Sequence, residues 1–163
     1  KNGTEHKNLY LIWKVPYADG TLEAVAYDAD GNIIENTDGR SSVTTTGEAA
    51  KLQMSADRTE IAADGKDLSF VTVRVVDRDG NLCPDASHEI SFKVKGEGSY
   101  RAGANGNAAS LESFQHPKMK VFSGMMTAIV SSTEQPGKIT LEATGKGLKK
   151  GALIIESCQE AKK

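Results

Sequence analysis

The sequence predicts an all-β protein built from two sandwich-like modules, and three observations carry that prediction. Turn dipeptides recur along the chain, apolar residues between them alternate with polar ones, and no stretch holds the spacing of an amphipathic helix for three turns. Length and composition agree with it. The 163 residues accommodate one ordinary domain or two small ones, and 38% hydrophobic residues suffice for a packed core.

The turn signals are Asp19-Gly20, Asp30-Gly31, Asp38-Gly39, Asp64-Gly65, Asp79-Gly80, Gly96-Glu97-Gly98 and Pro136-Gly137. Asp-Gly tolerates the positive φ angles of tight turns, so each marks a place where a strand can reverse. Near the N-terminus, Leu9, Leu11, Trp13, Val15 and Tyr17 line one face of a predicted strand, with Tyr10 and Ile12 on the other, which assigns Trp13 to a core. Val71, Val73 and Val75 alternate with Thr72, Arg74 and Val76. Ile90, Phe92 and Val94 alternate with Glu89, Ser91, Lys93 and Lys95, and Ile139, Leu141 and Ala143 with Thr140, Glu142 and Thr144. The stretch from Ala108 to Gln115 is the one candidate for a short helical turn.

The pattern breaks at Gly47-Glu48-Ala49-Ala50, after Thr44, Thr45 and Thr46. Residues 1–49 therefore read as a small β module of about four strands, too few to bury much surface alone. Such a module leans on its neighbour or lacks first strands that lie upstream of Lys1. Residues 50–158 have the length and strand count of one immunoglobulin-like sandwich. Residues 159–163 form a polar tail.

A net charge of −2 with scattered Lys and Arg leaves no electrostatic footprint for nucleic acid or an anionic membrane. No apolar run approaches the roughly 20 residues that cross a bilayer, and Lys1 opens a polar stretch rather than a signal peptide. Cys83 and Cys158 are too far apart in sequence for a metal pair or a redox motif. Two unpaired thiols are the simpler reading, and a single long-range disulfide stays open.

Asp28-Ala29-Asp30-Gly31-Asn32 and Asp77-Arg78-Asp79-Gly80-Asn81 share the spelling D-x-D-G-N, which invites a calcium reading. Their glycine falls too early for a calcium loop and no late glutamate follows, so hairpin turns are expected and no metal. His6, His88 and His116 lack neighbours at ligand spacing. The acids sit in turns or on solvent-facing strand positions rather than as the close carboxylate pair that glycoside hydrolysis requires. Glu112 is the one acid in an unusual setting, after the loop Gly103-Ala104-Asn105-Gly106-Asn107. Tyr100 and Phe114 flank that loop, and sugar rings stack on exposed aromatic faces. Tyr100, Asn105, Asn107, Glu112 and Phe114 are thus the candidate ligand-binding residues, with no catalytic residue and no cofactor expected.

The run from Leu9 to Tyr27, with its Trp13 strand, Asp19-Gly20 turn and Thr21-Leu22-Glu23-Ala24-Val25-Ala26-Tyr27 strand, resembles a small β module that follows the core of many bacterial β-galactosidases of glycoside hydrolase family 2. Val43-Thr44-Thr45-Thr46-Gly47 is similar to that module's ending. The segments from Ile61 to Leu68 and Val73 to Asp77, with Pro84, Asn105-Gly106-Asn107, Ser110, Glu112, Phe114, Phe122, Gly124 and Ala128-Ile129-Val130, resemble the bacterial immunoglobulin-like domain that comes next. The family's opening strands have no counterpart here, and the loop at Gly103–Asn107 lacks the acids of its relatives. The resemblance implies a non-catalytic, structural or spacing region of a secreted enzyme, located outside the cell, in the periplasm or at the cell surface. Its partners would be catalytic domains upstream in the same chain, where the catalytic glutamates lie in a (β/α)₈ barrel. Carbohydrate is the one external ligand to test, with no nucleic acid and no membrane insertion. A carbohydrate-binding module and an adhesin-type immunoglobulin-like repeat are the alternatives.

Overall fold

The computed structural model describes residues 12–34 and 42–159. Leu9, Tyr10, Leu11, His6, the Asp38-Gly39 turn and the last four residues of the polar tail lie outside the described residues. The chain divides into two compact units, Lys1–Thr45 and Thr46–Lys163.

In the first unit β1 (Thr21–Glu23) pairs with β4 (Ser42–Thr44), and β2 (Ala26–Tyr27) with β3 (Ile33–Ile34), both antiparallel. Asp30-Gly31 turns the β2–β3 hairpin, as its dipeptide chemistry predicts. The predicted tryptophan strand is corrected: residues 12–18 form no strand, and Trp13 is 55% exposed rather than buried in a core. The reason is geometric. The described strands are two or three residues long and belong to separate two-stranded sheets, so none presents a face wide enough to bury an indole.

The second unit is a two-sheet sandwich. One sheet runs β5-β7-β11-β9, comprising Lys51–Ala56, Leu68–Val76, Met125–Ser132 and Gly98–Ala104. The other runs β10-β8-β12-β13-β6, comprising Lys118–Lys120, Glu89–Gly96, Gly137–Gly145, Gly151–Cys158 and Glu60–Ala62. Pairing is antiparallel except for β6 on β13. Period-two patterning does what it predicts. Val71, Val73 and Val75 of one sheet meet Ile90, Phe92, Ile139, Leu141 and Ile155 of the other in a single core. Each such buried side chain contributes roughly 1.5–3 kcal/mol.

Three of the turn signals in this unit do not make hairpins. Asp64-Gly65, Gly96-Glu97-Gly98 and Pro136-Gly137 each join strands of opposite sheets. They carry the chain across the sandwich rather than back along its own sheet.

Candidate functional site

The loop between β9 and β10 carries Asn105, Asn107, Glu112 and Phe114, and its side chains organise it locally. Asn105 Oδ1 accepts from the Asn107 amide at 3.0 Å, and Asn107 Oδ1 accepts from the Ala109 amide at 3.0 Å. These side-chain acceptors compete with helical hydrogen bonding. The expected helical turn from Ala108 to Gln115 is accordingly replaced by two separate turns, closed by Ser110 N on Asn107 O at 3.0 Å and His116 N on Ser113 O at 3.3 Å.

The same side chains fasten the loop to the sandwich. Asn105 Nδ2 donates to Lys120 O at 2.9 Å, and Lys120 N donates to Glu112 Oε1 at 3.1 Å. Glu112 Oε2 accepts from the Ser110 hydroxyl at 3.3 Å and from Asn105 Nδ2 at 3.5 Å. On the other side, Gly103 N donates to Phe114 O at 2.7 Å. Both β9 and β10 are edge strands, one of each sheet. The loop therefore satisfies backbone groups on two open edges, and Glu112 serves as an acceptor for strand β10.

The two aromatic candidates part company. The Tyr100 ring stacks on Phe92 with centroids 5.5 Å apart and 20° between planes, against the core. Its hydroxyl is buried with no hydrogen-bond partner among the described residues, and burial pushes its pKa up. Phe114 is 61% exposed on the loop, and Leu111 of the same loop is wholly exposed. The pair does not form one exposed platform.

Both D-x-D-G-N segments fold alike. Asp28 Oδ1 accepts from the amides of Asp30 and Asn32 at 2.9 and 2.8 Å, and Oδ2 from Asn32 Nδ2 at 3.0 Å. Asp77 Oδ1 accepts from Asp79, Gly80 and Asn81 at 3.0, 2.9 and 2.8 Å, and Oδ2 from Asn81 Nδ2 at 3.1 Å. Asp77 Oδ2 takes one donor more, the Gly47 amide at 2.9 Å. That amide is the largest cause that holds the Asp77 carboxyl down to about 2. Asp28 is lowered chiefly by the Asn32 side chain. These donors occupy the carboxylates as turn acceptors.

Elsewhere, Asp67 is paired with Arg58 at 2.8 Å, and Glu142 with Lys95 at 2.7 Å, each carboxyl lowered first by that partner. Cys83 is buried and Cys158 half-buried, and both are free thiols. Among the described residues, no three His, Cys, Asp or Glu side chains are grouped to hold a metal ion. Sequence reasoning missed the Gly47–Asp77 bond. The spelling of the Asp77 turn announces its own amides but not a donor from a distant segment.

Comparison with known proteins adds kinship. Residues 52–154 match glycoside hydrolase family 2 C-terminal domain 5, and residues 1–35 match a domain family of unknown function. A β-galactosidase of Bacteroides ovatus is 37% identical over 150 residues, which is 92% of this chain and 17% of that protein. A putative β-glucuronidase of Formosa agariphila is 30% identical over 107 residues, 66% of this chain and 10% of that protein. A crystal structure of a glycosyl hydrolase family 2 member from Bacteroides cellulosilyticus superposes with a TM-score of 0.83 at 34% identity, covering 91% of this chain and 18% of that one. The chain thus spans under a fifth of the length of these relatives. With a two-sheet sandwich whose strands fill the matched segment, the chain belongs to the glycoside hydrolase family 2 C-terminal domain 5 family.

Proposed function

We propose that the chain is a non-catalytic C-terminal region of a family 2 glycosidase that cleaves terminal β-galactosides outside the cell, in the periplasm or at the cell surface. One observation carries the reading: the sandwich matches a C-terminal domain, and the chain spans only 17% of a similar β-galactosidase. In this reading residues 1–49 are a small module and 50–158 an immunoglobulin-like one, a view supported by the two facing sheets of the second unit. Their role is structural: spacing, and packing beside the catalytic domains of the same polypeptide. The engagement of the acids as turn acceptors and surface ion pairs supports a structural role over chemistry.

The test is direct. Purified chain incubated with a chromogenic β-galactoside is expected to give no turnover above the blank, and measurable hydrolysis overturns the reading. Deleting the corresponding region from a full-length relative is expected to lower its melting temperature while leaving kcat/KM on that small substrate within about twofold.

Carbohydrate binding is the second reading, favoured by Phe114 and Leu111 standing exposed on a fastened loop. Calorimetry with galactosides and plant or host oligosaccharides decides it, and a flat titration across the panel sinks it.

A further inference from the structure

The sequence holds two Asn-Gly steps, and Asn105-Gly106 is the one among the described residues. That dipeptide carries a latent reaction. Glycine has no side chain to screen its own nitrogen and its backbone turns freely, so that nitrogen can reach the carbonyl carbon of the preceding asparagine side chain. Gly106 is exposed, with φ +76° and open space where a β-carbon would stand. Asn105 Oδ1 accepts from the Asn107 amide, which draws the Asn105 side chain back alongside the Gly106 peptide. The Gly106 amide makes no hydrogen bond among the described residues. The nucleophile is thus open to water and beside its target.

What the fold holds is the leaving group. Asn105 Nδ2 donates to Lys120 O at 2.9 Å and to Glu112 Oε2 at 3.5 Å, while Glu112 Oε1 takes the Lys120 amide at 3.1 Å. These three bonds close a ring around Lys120, the last residue of β10. Only a donor at the Nδ2 position closes it. An oxygen there would set an acceptor against the Lys120 carbonyl and a second negative charge against Glu112.

We propose that Asn105 is a site of spontaneous deamidation and that its conversion unfastens the loop from β10. The Gly106 nitrogen gives its proton to hydroxide and forms a bond to Asn105 Cγ. The Cγ–Nδ2 bond breaks, and Nδ2 takes a proton from water and leaves as ammonia. Water then opens the succinimide ring at either carbonyl, leaving aspartate or isoaspartate at position 105. In sum one water enters and one ammonia departs. While Lys120 and Glu112 hold Nδ2 the side chain cannot rotate into attack, so conversion proceeds from the opened loop. Opening is reversible and conversion is not. This chemistry belongs to the loop and is independent of whether the chain is a spacer in a glycosidase.

The experiment follows Asn105 by peptide mapping and mass spectrometry, with the whole chain aged in mildly alkaline H₂¹⁸O. Native protein is compared with protein unfolded in guanidinium chloride. Native conversion is expected to be at least about tenfold slower than unfolded, and Glu112→Ala to close most of that gap. Gly106→Ala is expected to suppress conversion in both states. Asn105→Asp installs one product directly and is expected to be cut within residues 105–117 at least about tenfold faster than native protein in limited proteolysis. Native protein that converts as fast as unfolded protein overturns the proposal. So does an unfolded chain whose Asn105 stays intact, or a folded Asn105→Asp protein as resistant as the native one. Aged native protein decides the matter even where a variant does not fold: the molecules cut first in the loop must be those converted at position 105, and cleavage blind to conversion refutes the release.

Discussion

The hydroxyl of Tyr100 occupies the space that a β-carbon on Gly103 would fill. A simple alternation would put these residues, three apart, on opposite faces of β9. A β-bulge changes that. Val130 pairs with Tyr100 and Ile129 with Ala102, leaving Arg101 as the extra residue, so Tyr100 and Gly103 both face the core. Gly103→Ala is expected to destabilise the sandwich by about 2 kcal/mol, through overpacking. Tyr100→Phe removes a buried hydroxyl with no partner among the described residues and is expected to be neutral or stabilising by about 1 kcal/mol. The double variant is expected to recover most of the Gly103→Ala loss. Urea denaturation of the four proteins checks the cycle, and strict additivity would show that the two sites are not coupled.

Acid should reveal the Asp77 turn. Its folded carboxyl titrates at about 2, below the ordinary 3.8. A depressed carboxyl stabilises the fold above its unfolded pKa, and that contribution is lost as pH falls through the folded value. The difference in denaturation midpoint between native protein and Asp77→Asn is therefore expected to be full at pH 6, to shrink below pH 4, and to be mostly lost by pH 2. A difference that stays constant over that range refutes the assignment.

Gly96 sits where the chain leaves β8 and crosses to the other sheet. Its φ is +89°, and an added β-carbon would collide with the Lys138 carbonyl oxygen. Gly96→Ala is expected to cost more than about 2 kcal/mol, because the left-handed backbone and the clash both oppose it. Thermal melting should show a drop of several degrees, whereas Gly106→Ala, with open space around its β-carbon, should fall less.

Glu112 should govern protection of its loop rather than any turnover. Glu112→Ala leaves the Lys120 amide without its acceptor and is expected to cost about 1–2 kcal/mol. Limited proteolysis should then cut within residues 105–117 faster than in the native protein, while the rest of the sandwich resists. Equal cleavage rates would show that the loop is held by other contacts.

Strand identity in the second unit was legible because burial there is one-sided. Alternation at Val71 to Val75, Ile90 to Val94 and Ile139 to Ala143 records which side chains lose water. The turn chemistry of the Asp28–Asn32 and Asp77–Asn81 segments was legible too, since Asp28 and Asp77 each serve amides within four residues of themselves. Trp13 misled for the converse reason. Its neighbours alternate as a strand's would, but alternation buries a residue only when a facing layer exists.

By itself, then, the sequence determined the all-β class, the strand faces of the second unit and the local turns, all of which depend on residues close in the chain. Only the tertiary structure decided which turns cross between sheets, where the bulge turns Tyr100 inward, that Glu112 caps Lys120, and that Asp77 reaches Gly47. These depend on contacts between segments distant in sequence, and a local pattern of polarity carries no record of which partner a strand or carboxylate will meet.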